Sequence, residues 1–132
     1  MNKILVLGGG SWGTTLANLL AEKDYDVSLW ARNPKIFKKF KNYWINNHYL
    51  PKYKISKNLK IVSDLKDAFL DVDLVIVAIP SKSFRSISSK ISKYLDNQKI
   101  LIASKGIENE SFMTMSEVFI DETNHSKKNI MI

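Results

Sequence analysis

The sequence contains no cysteine, so disulfides and thiolate metal sites are excluded. Histidine is nearly as scarce. His48 and His125 stand far apart in polar stretches, with no partner at metal-ligand spacing, and neither receives a role. No Ser/His/Asp arrangement and no pair of catalytic carboxylates is apparent, and no metal is expected. No apolar run approaches the roughly 20 residues that a membrane span needs. The chain opens directly on a strand pattern and lacks the charged–apolar–small layout of a secretion signal. These absences fit a reducing cytoplasm and predict no membrane partner. Helix-turn-helix, zinc-finger and RNP patterns are missing too, so nucleic acid is not an expected partner.

Acidic residues are missing from one long span. None lies between Asp26 and Asp64, while Arg32, Lys35, Lys38, Lys39, Lys41, Lys52, Lys54, Lys57 and Lys60 all do. The net charge of +7 is therefore concentrated there. Such a span either draws in an anionic ligand or forms a solvated basic face, and for most of these lysines the solvated face is the simpler reading.

What is present points to one ordinary domain. The 132 residues are 45% hydrophobic, enough for a real core. Repeats and low-complexity linkers are absent. The chain is organised around its first stretch. Lys3-Ile4-Leu5-Val6-Leu7 reads as a buried strand, and a glycine-rich turn and a helical pattern over about 12–22 follow it. The turn fits G-x-G-x-x-G at Gly8, Gly10 and Gly13. In a dinucleotide-binding unit the three glycines do different things. Gly8 permits the tight turn, Gly10 lets a pyrophosphate approach the backbone, and Gly13 lets the helix pack on the strand. The motif carries weight here because it follows a strand and opens a helix.

Further on, Val27–Trp30 reads as a second strand. Asn33-Pro34 reads as an N-cap and first helical position, opening a helix in which Ile36, Phe37, Phe40, Tyr43 and Trp44 keep a helical period. His48-Tyr49-Leu50-Pro51 is expected to break that helix, and residues 45–58 to form a polar, basic loop. Ile61-Val62 is a short strand, and Asp64 caps a short helix. Asp73–Pro80 is a continuous apolar run, as in a parallel sheet buried on both faces. A helix over Ser83–Tyr94, a strand over Lys99–Ala103, a helix over about 112–122 and an apolar run over Asn129–Ile132 complete the pattern. Alternating strands and helices predict an α/β fold, a doubly wound parallel sheet with ligands at the carboxyl ends of its strands. The last run stops mid-pattern, which reads as truncation before a further domain.

Three strand ends carry candidate chemistry. Where NAD-preferring units place an acid, about 20 residues past the glycines, this chain has Trp30-Ala31-Arg32-Asn33. A carboxylate would repel a 2′-phosphate and an arginine fork would bind it, so Arg32, with Asn33, points to NADP; the other reading is a solvent-facing arginine. Pro80 either shapes the nicotinamide side of the pocket or merely ends its strand. Lys105, in Ser104-Lys105-Gly106, either aims a cation at an anionic substrate or is an exposed lysine in a turn.

At these residues the sequence resembles the N-terminal domain of bacterial NAD(P)-dependent glycerol-3-phosphate dehydrogenases. The resemblance spans the whole chain. It rests on Gly8–Thr14, Leu29–Arg32, Tyr49-Leu50-Pro51, Ala78–Ser81 and Ser104–Glu108, in the family's order and spacing. It implies a Rossmann-like domain over residues 1–132, with NADP and NAD as cofactors. The implied activity is reduction of dihydroxyacetone phosphate to sn-glycerol 3-phosphate in the cytoplasm, feeding glycerophospholipid synthesis. By the same resemblance, Ser11, Trp12, Arg32, Asn33 and Tyr49 contact the cofactor, and Lys105 contacts cofactor and substrate. The family carries a second, helical domain with the general acid/base lysine and most phosphate-binding groups. This chain stops before that domain and is expected to hold cofactor without turnover; a homodimer is expected of the full-length protein. The alternatives are another two-domain NADP reductase, of the 6-phosphogluconate or ketopantoate type, and a nucleotide-sensing module without catalysis.

Overall fold

The computed structural model of the chain describes residues 3–132. Its centre is a six-stranded parallel sheet built from β1 (Lys3–Leu7), β2 (Asp26–Trp30), β6 (Lys60–Val62), β7 (Leu74–Val77), β8 (Lys99–Ile102) and β9 (Ile130–Met131), in the order β6-β2-β1-β7-β8-β9. The order reverses between β1 and β7, where a doubly wound sheet opens its crevice. Register aligns the strand ends. Leu7 lies opposite Trp30 and Val77, and Val77 opposite Ile102. Gly8, Ala31, Ala78 and Ala103 therefore leave the sheet along one edge.

The sheet separates two cores because its side chains alternate. Leu5, Leu7, Val75, Val77, Ile100 and Ile102 face Phe84, Ile87 and Ile91 of α3 (Ser81–Ile91) and Val118 and Phe119 of α4 (Met115–Thr123). Short α2 (Leu65–Ala68) covers the same face, started by the Asp64 side chain accepting from the Asp67 N–H at 2.9 Å. On the other face Ile4, Val6, Val27, Leu29 and Ile76 meet Ala17 and Ala21 of α1 (Ser11–Glu22), together with Phe37, Ile55 and Leu59. The expected α/β, Rossmann-like, doubly wound fold is the one observed.

One stretch differs from expectation. Asn33 does cap a turn, accepting from the Lys35 N–H at 3.2 Å, but that turn is a single 3-10 turn over Pro34–Ile36. The chain then forms a three-stranded antiparallel sheet of β3 (Phe37–Lys39), β4 (Tyr43–Asn46) and β5 (Leu50–Ser56). The helix expected through Trp44 does not form, and most of the expected loop over 45–58 is strand. Aromatic and β-branched side chains suit a pleated, half-buried surface, and pairing across the hairpin puts Phe37 opposite Asn46 and Trp44 opposite Ile55. His48–Pro51 does not end a helix; it turns the chain from β4 into β5. Asn18 of α1 holds this small sheet in place, with its Oδ1 accepting from Ser56 N–H at 2.7 Å and its Nδ2 donating to Tyr53 at 3.3 Å.

Candidate functional site

The glycine turn closes the gap between β1 and α1. Gly8 has φ of +121°, and a Cβ there would collide with the Ala78 carbonyl. A Cβ on Gly13 would collide with the Gly8 carbonyl, so α1 can lie against the strand only without one. A Cβ on Gly10 would meet nothing within 4 Å. Two glycines are thus demanded by the protein's own packing, and the third faces open space. Gly10 is also the N-cap of α1, and no side chain caps the helix. Its first N–H groups and the positive end of its dipole are left for an anion. A pyrophosphate fits this arrangement.

The turn floors a cavity of about 880 Å³ at the carboxyl edge of the sheet. Every residue singled out from the sequence lines it: Gly8, Gly10, Ser11, Trp12, Gly13, Arg32, Asn33, Tyr49, Pro80 and Lys105. Sequence reasoning missed others, notably Ile36, His48, Ile79, Ser83 and Ser104. The charged or basic residues of the lining are Arg32, His48 and Lys105, and no carboxylate is among them. Trp12 and Tyr49 are about half exposed, at 54% and 49%. Among the described residues no group of three or more His, Asp or Glu is placed to hold a metal ion.

Each side of the cavity has its own support. On the β2 side the support is Asn46, whose accessibility is 0%. Its Nδ2 donates to the Gly9 carbonyl at 2.9 Å and to Thr14 Oγ1 at 3.2 Å. Its Oδ1 accepts from the backbone N–H of His48 at 3.2 Å and of Tyr49 at 3.0 Å. One amide, with all four of its bonds made, joins the glycine turn to the β4–β5 turn. Nothing in the sequence marks Asn46, because its role depends on a hairpin whose residues read as helix and loop.

On the β8 side, Ser104 Oγ donates to the Val77 carbonyl at 3.1 Å and accepts from Ile79 N–H at 2.8 Å, tying the ends of β7 and β8 together. Gly106 follows Lys105 with φ of +126°, and a Cβ there would press on Ser81 at 3.2 Å. Arg85 of α3 then grips the loop. Its Nε and Nη2 each donate to Glu108 at 2.8 Å, and its Nη1 bonds Asp121 and Glu122 at 2.7 Å. The guanidinium and Ser111 hold the Glu108 carboxyl down to a pKa of about 2, and the three carboxylates raise that of Arg85. The segment bearing Lys105 is pinned on both sides.

Parallel sheet, glycine turn and crevice together define a Rossmann-like coenzyme-binding domain. Residues 3–132 match the family model of the NAD-dependent glycerol-3-phosphate dehydrogenase N-terminus, and the chain belongs to this family. It is 40% identical over 120 residues to glycerol-3-phosphate dehydrogenase [NAD(P)+] of Acinetobacter baumannii strain SDF, covering 91% of this chain and 34% of the relative. It is 38% identical over 124 residues to the protein of that name from Levilactobacillus brevis, covering 91% of this chain and 37% of the relative. A crystal structure of glycerol-3-phosphate dehydrogenase from Coxiella burnetii superposes with a TM-score of 0.82 at 31% identity, over 94% of this chain and 38% of that one. The chain thus spans about a third of the length of the curated relatives it matches. Membership does not favour the ketopantoate, 6-phosphogluconate and sensing-module alternatives. Among the described residues no helix is long and apolar enough to cross a membrane.

Proposed function

We propose that this chain is the coenzyme-holding part of a cytoplasmic enzyme that interconverts dihydroxyacetone phosphate and sn-glycerol 3-phosphate with NADP(H) or NAD(H). The observation that carries this reading is the gathering of all ten sequence-derived residues around one acid-free cavity. The coenzyme, when bound, supplies the hydride. The protein's residues do the rest. Gly8, Gly10 and Gly13 with Ser11 and Trp12 hold the pyrophosphate at the α1 N-terminus. Arg32 and Asn33 take the ribose end, where a guanidinium matches a 2′-phosphate. Tyr49 walls the same side. Pro80 shapes the nicotinamide side, and Lys105 supplies a cation there for the substrate's anionic groups. In this reading the general acid/base belongs to a helical domain outside these residues, the assembled protein is a homodimer, and the product feeds glycerophospholipid synthesis.

The test is an NADPH titration of the chain, read by quenching of Trp12. Saturable quenching is expected. Gly10→Val should abolish it, because the added side chain enters the open space above the turn, while the circular dichroism spectrum stays native. Full binding by the variant would overturn the placement of the site.

A further inference from the structure

His48 has no role that its sequence context reveals, yet the structure puts it on the wall of the cavity that Tyr49 and Arg32 also line. Three contacts hold it there. Asn46 Oδ1 accepts from the His48 and Tyr49 N–H groups, which fixes the turn. Asn47 N–H donates to the Ile36 carbonyl at 2.8 Å, which ties this turn to the segment that begins at Arg32. The imidazole stands edge-on to the Tyr49 ring, with centroids 4.5 Å apart and planes at 84°. The lining of the cavity contains no acid to neutralise it. The charged and titratable groups on the elements that meet this turn are Arg32 and Lys35 on the 31–36 segment, Lys38 and Lys39 on β3, Tyr43 on β4, Tyr49 in the turn itself, Lys52, Tyr53 and Lys54 on β5, and Lys105 across the cavity. The glycine turn and the first residues of α1 carry no charge.

We infer that His48 is a second cation for the 2′-phosphate of NADP(H), and that it makes the choice between the two coenzymes depend on pH. The inference rests on the coenzyme site proposed above. Imidazole is the side chain that ordinarily gains its charge between pH 8 and 5. A neutral His48 adds little to Arg32. A protonated His48 adds a donor and a charge that a 2′-phosphate uses far more strongly than the 2′-hydroxyl that NADH presents there. Discrimination against NADH therefore strengthens as pH falls.

The phosphate titrates too. A phosphate monoester dianion takes up its first proton near pH 6, which weakens its hold on any cation. Wild-type affinity alone mixes both effects, whereas the ratio of variant to wild-type dissociation constant at each pH cancels the ligand's titration in every contact except the one with His48. The experiment is an NADPH and NADH titration of the 132-residue chain from pH 8 to about pH 5.5 for wild type, His48→Gln and His48→Arg. The Gln-to-wild-type ratio for NADPH is expected to rise from below about twofold at pH 8 to about tenfold at the acid end. The same ratio for NADH stays near one throughout. His48→Arg, charged at every pH, should bind NADPH more tightly than wild type at pH 8 and lose that advantage on acidification. A flat NADPH ratio, or one that rises equally for NADH, overturns the inference. Failure of wild type to bind either coenzyme would instead overturn the site itself, so the two results are separable.

Discussion

The two sides of the cavity are held by opposite kinds of chemistry. The β2 side hangs on Asn46, a neutral and fully buried amide. The β8 side hangs on Arg85 and three carboxylates at a partly exposed surface. Removing the Asn46 amide takes a partner from the His48 and Tyr49 N–H groups, at a cost of up to about 1–3 kcal/mol each, while the Gly9 carbonyl keeps its bond from Thr14 Oγ1 at 3.3 Å. A surface charge cluster is screened by water and salt, and its loss is cushioned. The β2 side is therefore built for fixed shape. The β8 side ties down the backbone on either side of Lys105 while the surroundings remain solvated.

The sharpest way to separate the two sides is to remove the cation that each displays. Lys105→Met, tested in the full-length enzyme that the proposed function implies, should lower kcat/KM by about 100-fold or more, as expected when one electrostatic donor is lost. NADPH affinity should fall less. Steady-state kinetics paired with direct binding decides the matter, and unchanged turnover would return Lys105 to the status of a solvated turn residue. Arg32→Asp should act on the other side only. Its NADPH affinity should drop roughly 10- to 100-fold, from loss of a charge-assisted contact of about 1.5–3 kcal/mol, with a much smaller change for NADH. Equal losses for the two coenzymes would show that Arg32 does not read the 2′ position.

The supports come next in size. Asn46→Ala should destabilise the domain by about 2 kcal/mol, visible as a lower urea midpoint. In the protein that still folds, affinity for 2′,5′-ADP should fall while affinity for reduced nicotinamide mononucleotide is kept. Parallel loss of both half-ligands would mean that Asn46 supports the whole cavity and not one side. The smallest effect belongs to Arg85 and appears only in acid. The folded-state pKa of Glu108 is lowered to about 2 from 4.5, so its contribution to stability is complete above pH 4.5 and is lost as pH falls toward about 2. Arg85→Met should flatten that part of the stability profile. Thermal melts of wild type and variant between pH 5 and pH 2 that fall in parallel would contradict the assignment.

Legibility in the sequence followed burial. β1, β7 and β8 are covered on both faces, so they read as unbroken apolar runs such as Leu74-Val75-Ile76-Val77. The glycine turn was legible because Gly8 and Gly13 answer to contacts that permit no side chain. The small sheet was not. Ile36, Phe37, Phe40, Tyr43 and Trp44 satisfy helical spacing, and the hairpin turn at Lys41-Asn42 lacks the glycine that usually announces one. Only tertiary pairing, Phe37 with Asn46 and Lys39 with Trp44, settles the conformation. His48 and Asn46 were hidden for the same reason, since both enter the site through that hairpin. Arg32, Pro80 and Lys105 lie at ends of the parallel strands or just past them, and there position in the chain translates directly into position on the sheet edge.

The most direct test of the account is a map of backbone amide shifts on adding NADPH to the isotopically labelled chain. The account predicts that the large changes fall on both sides of one cavity at once: Gly8–Gly13, Arg32 and Asn33, His48 and Tyr49, and Ser104 and Lys105. Changes that spared the glycine turn, or that clustered on the exposed basic face of β3–β5 away from the cavity, would contradict it.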